Sequence, residues 1–200
     1  MNELSIVTLG HIHSDAIEPL TPHFSRIEQL VTDLPARVAF ADKRAELNRA
    51  IDAASSDWIL ILREREFVDS PLGAEIAGAI AAADAWGFRI RVVPLYAGRP
   101  LRLGSDAGEL RLFQRRHLLR RGELGVQGTV IRLRNALQAR TFDSAEEHRA
   151  YLSKTGVPHS VVRRMLLFLR NARTFDGNTL RYLWIEAGFD HGGERASRPQ

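Results

Sequence analysis

The sequence predicts an α/β fold built on a mixed sheet flanked by helices, followed by a helical C-terminal segment. Three observations carry this expectation. The first 85 residues alternate β-branched apolar runs with segments of helical spacing, as a largely parallel sheet requires. Residues 86–133 then hold short apolar runs joined by glycine turns, which reads as an antiparallel extension. From Asp143 onward the apolar positions recur at helical spacing.

Leu4 to Leu9 is β-branched, ends at Gly10 and reads as a buried first strand. After a polar stretch with Pro19 and Pro22, Arg26 to Thr32 forms a second strand that stops at Asp33, and Val38 to Ala41 a short third. Ala45, Leu47, Ala50, Ile51 and Ala54 share one helical face, which predicts a helix over 43–55 with Asp42 as N-cap. Ser55-Ser56-Asp57 breaks it, and Trp58 to Leu62 is the next strand. Pro71 marks the start of an alanine-rich helix over Leu72 to Ala83, capped by Asp69 or Ser70.

Further strands are expected over Trp86 to Tyr96, Arg99 to Leu103 around a Gly98 turn, Glu109 to Gln114, and Gly128 to Leu133. Helices are expected over Asp143 to Lys154, Ser160 to Ala172 and Gly177 to Ala187, punctuated by Pro158 and Gly177. The organisation is thus one α/β domain over 1–142, a helical segment of the same domain over 143–190, and a disordered tail over 191–200. That tail holds Gly192, Gly193, Ser197 and Pro199 and too little apolar surface to offset its ordering entropy.

Composition narrows the chemistry. With 44% hydrophobic residues the 200-residue chain can bury a proper core. The absence of cysteine excludes disulfides, thiolate metal sites and a cysteine nucleophile, and fits a reducing compartment. No apolar run reaches the roughly 18 residues that span a bilayer, so a cytoplasmic location is expected, peripheral to the inner face of a membrane at most. Lys43 and Lys154 are the only lysines; the positive charge is carried by arginine, whose planar fork suits phosphate. Residues 111–140 hold eight arginines against the single acid Glu123. Without aromatic interleaving or a glycine-rich RNA signature, this stretch does not specify a nucleic-acid partner.

The most informative junction is Trp58-Ile-Leu-Ile-Leu-Arg63-Glu64-Arg65-Glu66, an apolar strand that runs straight into four alternating charges. Open α/β sheets place their chemistry at such carboxyl ends. Read as a continuous extended chain, Arg63 and Arg65 share one face and Glu64 and Glu66 the other.

Taken in order, Asn48 to Ala54 with Asp57 to Leu62, then Arg63 to Glu66, then Tyr96 to Gly104 with Leu110 to Phe113, resemble the family 2 glycosyltransferases that build lipopolysaccharide cores and other surface glycans. Asn48-Arg-Ala-Ile-Asp-Ala-Ala followed by Asp57-Trp58-Ile-Leu-Ile-Leu is similar to that family's Asn-x-Ala helix and following strand. Arg63-Glu64-Arg65-Glu66 stands where the family has Asp-Ala-Asp-Glu. Tyr96-Ala-Gly-Arg-Pro-Leu-Arg-Leu-Gly104 and Leu110-Arg111-Leu112-Phe113 resemble its hairpin and Arg-Leu-Phe strand. The resemblance covers roughly residues 4–115. It implies a GT-A-like nucleotide-diphospho-sugar transferase fold. It also implies a nucleotide-sugar donor, a glycan or lipid-linked acceptor, and donor contacts from Asp33, Asn48, Arg63, Glu64, Arg65 and Glu66.

The departures bear on the reaction. Gly10-His-Ile-His-Ser-Asp15 replaces the family's Tyr-Asn-Glu-like segment, and only Asp33 survives of its Asp-x-Gly-Ser-x-Asp loop. Both aspartates of the metal motif are arginine here. Divalent magnesium or manganese needs oxygen ligands, so only Glu64 and Glu66 could serve and no cofactor is firmly implied. Three readings stay open: a metal-independent transferase in which Arg63 and Arg65 pair with the diphosphate, a catalytically inactive binding or scaffold protein, and a purely structural ion-pair ladder. The general base is open among Glu109, His117 and Asp106.

Two other constellations belong to different classes. His11-x-His13-x-Asp15 after the first strand has the ligand spacing of a zinc-dependent hydrolase, although the chain is shorter than the roughly 250 residues of a (β/α)8 barrel. Ser160 to Phe175 joins Val161, Val162, Met165, Leu166, Phe168 and Leu169 with Arg163, Arg164, Arg170 and Arg173. Such a basic amphipathic helix either packs on the sheet or makes peripheral contact with an anionic membrane.

Overall fold

In the computed structural model the residues described are 2–33, 44–101, 108–120, 123–155 and 176–186. The chain divides into two units, Met1–Val92 with Ser105–Ala139, and Val93–Gly104 with Arg140–Gln200.

The first unit begins with β1 (Glu3–Leu9), whose six residues after Glu3 are all buried. Two 3-10 turns lead to β2 (Arg26–Thr32), which lies parallel to β1 from Glu3/Arg26 to Leu9/Thr32. Helix α1 (Arg44–Ala53) crosses back to β3 (Trp58–Arg63), parallel to β1 on its other side. A tight turn separates β3 from the two-residue β4 (Glu66–Phe67), and α2 (Ser70–Ala82) follows. The Asp69 carboxylate accepts from the Leu72 N–H at 2.9 Å and Pro71 fills the first turn, so the expected cap is in place. Next come β5 (Gly87–Tyr96), β6 (Arg99–Pro100), β7 (Glu109–Gln114) and β8 (Val130–Phe142). The sheet order is β2-β1-β3-β7-β5-β8-β4, with β6 paired to β5. β1 pairs in parallel with β2 and β3, whereas β3/β7, β5/β7 and β4/β8 are antiparallel. The architecture is therefore the mixed α/β sheet that the sequence predicts.

Alternation along the strands sends side chains to two cores. Leu4, Ile6, Leu60 and Leu62 join Leu72, Ile76 and Ile80 of α2 on one face. Val7, Leu9, Ile59 and Ile61 join Leu47 and Ile51 of α1 on the other. Each fully buried leucine or isoleucine contributes about 1.5–3 kcal/mol, so helix placement follows from the period-two pattern of the parallel strands. Gly73 is fixed by contact: a Cβ there would lie 2.7 Å from the Pro19 carbonyl oxygen.

At the amino ends of these strands a polar clamp replaces apolar packing. The Ser5 hydroxyl donates to Glu28 Oε2 at 2.6 Å, and the Ser55 backbone N–H donates to the same oxygen at 2.7 Å. The buried Ser56 N–H donates to Ser5 Oγ at 3.1 Å.

The second unit takes up the ends of β5 and β8. Ala97 and Gly98, both at positive φ (48° and 72°), close the β5/β6 hairpin in the geometry that matches strand twist. Helices α3 (Ala145–Thr155) and α4 (Gly177–Glu186) belong to it. Its core is Tyr96, Leu101, Phe142, Ala145 and Ile185, with the buried His148 imidazole stacked on Phe142 at 4.2 Å and on Tyr182 at 5.0 Å.

The strand expected over Gly128 to Leu133 extends to Phe142, because Ala136, Leu137 and Phe142 continue to find buried positions. No helix among the described residues is long and apolar enough to cross a membrane. The expected short strand at 38–41, the Asp42 cap, the helix over 160–172 and the tail over 191–200 lie outside the described residues.

Candidate functional site at the carboxyl edge of the parallel strands

The three parallel strands end level. Leu9 stands opposite Thr32 of β2 and Arg63 of β3, so Gly10, Asp33 and Glu64 follow side by side. The Gly10 N–H donates to the Thr32 carbonyl at 3.1 Å, and the Glu64 N–H to the Leu9 carbonyl at 2.9 Å. Gly10 sits at φ 82°, and a Cβ there would come within 3.3 Å of Glu64 Cβ. Glycine thus meets two demands at the centre of the edge, left-handed backbone and close approach.

Beyond Arg63 the chain does not stay extended. Arg65 adopts φ 67°, the left-handed region, which turns the chain between β3 and β4. The simple alternation of arginines and glutamates on opposite faces is therefore lost. Glu64 and Arg65 remain at the exposed rim, whereas Glu66 turns inward and is 5% exposed.

Glu66 meets Arg111, which is 0% exposed. Arg111 Nη1 donates to Glu66 Oε2 at 3.1 Å and Nη2 to Oε1 at 3.0 Å, a two-pronged pair, while the Arg63 backbone N–H donates to Glu66 Oε2 at 2.8 Å. Arg111 Nη2 and Arg63 Nη2 each lie 3.1 Å from Glu109 Oε2. Two guanidinium groups and two carboxylates thus alternate from the interior to the surface. Burial pushes the Arg111 guanidinium below the usual arginine range, with the Glu66 carboxylate opposing that shift.

A register shift explains how β7 points an arginine inward. Phe88 pairs with Leu112 but Arg89 pairs with Leu110, so Arg111 is the extra residue of β7 at this point. Bulges of this kind redirect a side chain next to functional sites.

Of the expected donor residues, the fold brings Asp33, Arg63, Glu64, Arg65 and Glu66 to one edge. Asn48 lies a turn into α1, and its amide donates to the Arg120 carbonyl at 3.2 Å, toward the 118–120 segment. Glu109 belongs to the ion network. His117 stacks on Trp86 at 3.9 Å, beyond Gln114, which pairs with Trp58 at the opposite end of β3; a strand length of about 17 Å separates that end from the edge. Asp106 lies outside the described residues.

The donor set does not suit a divalent ion. Glu66 is committed to Arg111, Glu64 is flanked by arginines, and no group of three His, Asp or Glu side chains among the described residues could hold a metal. His11 and His13 accordingly have no third described ligand. Sequence reasoning missed Arg111. Its signal was an arginine inside the apolar run Leu110-Arg111-Leu112-Phe113, a position where charge is retained only with a partner.

No family model matches this chain, and no curated protein does. Among solved structures it is similar to the bifunctional IspDF from Campylobacter jejuni, with TM-score 0.39 and 9% identity over 66% of this chain and 49% of that one. It is also similar to TarS 1-349 from S. aureus, with TM-score 0.39 and 8% identity over 96% of this chain and 73% of that one. The chain thus spans about half the length of the former.

Proposed function

We propose that the edge formed by Gly10, Asp33, Glu64 and Arg65 receives the diphosphate of a nucleotide sugar without a metal ion, and that the protein transfers the sugar to a cell-surface glycan or lipid-linked acceptor. The observation that carries this reading is the level ending of β2, β1 and β3, with a left-handed glycine between an exposed aspartate and an arginine-bearing turn. In such a transfer the acceptor hydroxyl attacks the anomeric carbon. The bond to the diphosphate breaks, and the departing oxygens gain negative charge. Arginine at the rim supplies the charge and fork geometry that a metal otherwise provides. In this reading Asp33 accepts from a ribose hydroxyl.

A second reading keeps the binding and drops the turnover. Arg63, Glu66, Glu109 and Arg111 already pair with one another, which suits a scaffold as well as an enzyme. Calorimetric titration with uridine and guanosine diphosphates, with and without EDTA, tests the shared premise. Chelator-independent binding supports it, and no saturable heat with either nucleotide overturns both readings. Turnover of the matching nucleotide sugar separates the two.

A further inference from the structure

The second unit contains a cleft of about 450 Å³ lined, among the described residues, by Arg99, Pro100, Asp176, Gly177, Asn178 and Arg181. We propose that it is a separate binding site for a phosphate monoester carried on a small polar body, such as a phosphorylated sugar.

Four features converge. Arg99 and Arg181 both line the cleft, and neither guanidinium makes an ion pair or hydrogen bond with another described residue. The carboxylate that senses Arg181, Glu146, is occupied by Arg149 at 3.3 Å. Two arginines on the wall of one cleft offer a dianion charge-assisted, two-pronged contacts.

The cleft's own acid is already engaged. Asp176 Oδ1 accepts the Thr179 N–H at 2.8 Å, and the Asp176 carbonyl accepts the Leu180 N–H at 3.1 Å. This cap fixes the first turn of the ten-residue α4, whose amino end adds positive potential at the cavity wall.

Asn178 ties the two walls together. Its Nδ2 donates to the Tyr96 carbonyl at 3.0 Å and the Arg99 carbonyl at 3.2 Å, which holds the β5/β6 hairpin against α4 and leaves Oδ1 as an acceptor for a ligand hydroxyl. The volume lies within the roughly 300–1,000 Å³ of small-molecule sites. Bare phosphate would leave most of it unfilled, so a phosphorylated body is the better match.

The site does not depend on the proposed donor edge, whose residues belong to the first unit. Its test is calorimetry with ribose 5-phosphate, ribose and inorganic phosphate on the full chain, with circular dichroism to confirm folding of each variant. Saturable binding of ribose 5-phosphate below about 1 mM, weaker competition by inorganic phosphate and silence from ribose are expected. Arg99→Ala and Arg181→Ala should each weaken binding at least ~10-fold, as expected for a charge-assisted pair, and Arg65→Ala should leave it unchanged. No saturation by ~10 mM, or binding that survives in the folded Arg99→Ala/Arg181→Ala variant, overturns the proposal.

Discussion

Glu66 and Arg111 stand 45 residues apart in sequence and form a buried two-pronged ion pair, with contacts of 3.0 and 3.1 Å, directly behind the carboxyl edge of β3. Such a pair is worth little against an apolar replacement but much against the loss of one partner, since the remaining charge stays desolvated. Glu66→Ala is expected to cost about 3–5 kcal/mol in urea unfolding. Glu66→Leu/Arg111→Met should recover most of that loss. A single variant within about 1 kcal/mol of the wild type would mean that Arg111 finds Glu109 or water instead.

Gly10 predicts a separate sensitivity. Alanine there must hold a left-handed backbone and bring its Cβ to 3.3 Å from Glu64 Cβ. A destabilisation of about 1–3 kcal/mol is expected. Because the residue centres the proposed edge, nucleoside diphosphate binding should fall in the variant that still folds. Gly98→Ala, at φ 72° but with nothing within 4 Å, is the control: backbone strain without the contact. Equal losses at the two positions would show that proximity to Glu64 is unimportant.

Acid sensitivity should appear at the other end of the strands. The Ser5 hydroxyl, then the Ser55 N–H, hold the Glu28 carboxyl below its usual range. A carboxylate with a depressed folded-state pKa adds stability that is fully present above its unfolded value. That stability is lost as pH falls through the folded value. Ser5→Ala should therefore lower the melting temperature at neutral pH, and the difference from wild type should shrink as Glu28 protonates. A carbon-13 titration of Glu28 should move upward in the variant; an unchanged midpoint would remove the hydroxyl as the cause.

Much of the fold could be read from sequence because its signals are local. The run Leu4 to Leu9, the Asp69-Ser70-Pro71 helix start, and Leu47 with Ile51 on one helical face each encode their element within a few residues. The candidate edge was legible for the same reason, as charges directly after Trp58-Ile-Leu-Ile-Leu. The internal arrangement of the site was not. It depends on a left-handed Arg65, which arginine rarely adopts, and on the β5/β7 register shift that turns Arg111 inward. Neither follows from periodicity, since both are fixed by strands distant in sequence.

Arg65 distinguishes function from structure most cleanly. At φ 67° a non-glycine residue carries about 1–2 kcal/mol of backbone strain. Arg65→Gly removes that strain, although it also loosens the unfolded chain and deletes whatever contacts the side chain makes. A net gain of about 0.5–1 kcal/mol is expected. If the guanidinium serves the diphosphate, affinity should fall about 10-fold in the same variant, the size of a charge-assisted hydrogen bond. Stability and binding would then move in opposite directions, as they do where backbone strain is kept for a ligand. Urea unfolding and nucleotide calorimetry on one preparation read both quantities. A more stable protein with unchanged affinity would remove Arg65 from the binding edge, leaving the strained turn to serve only the inward placement of Glu66 against Arg111.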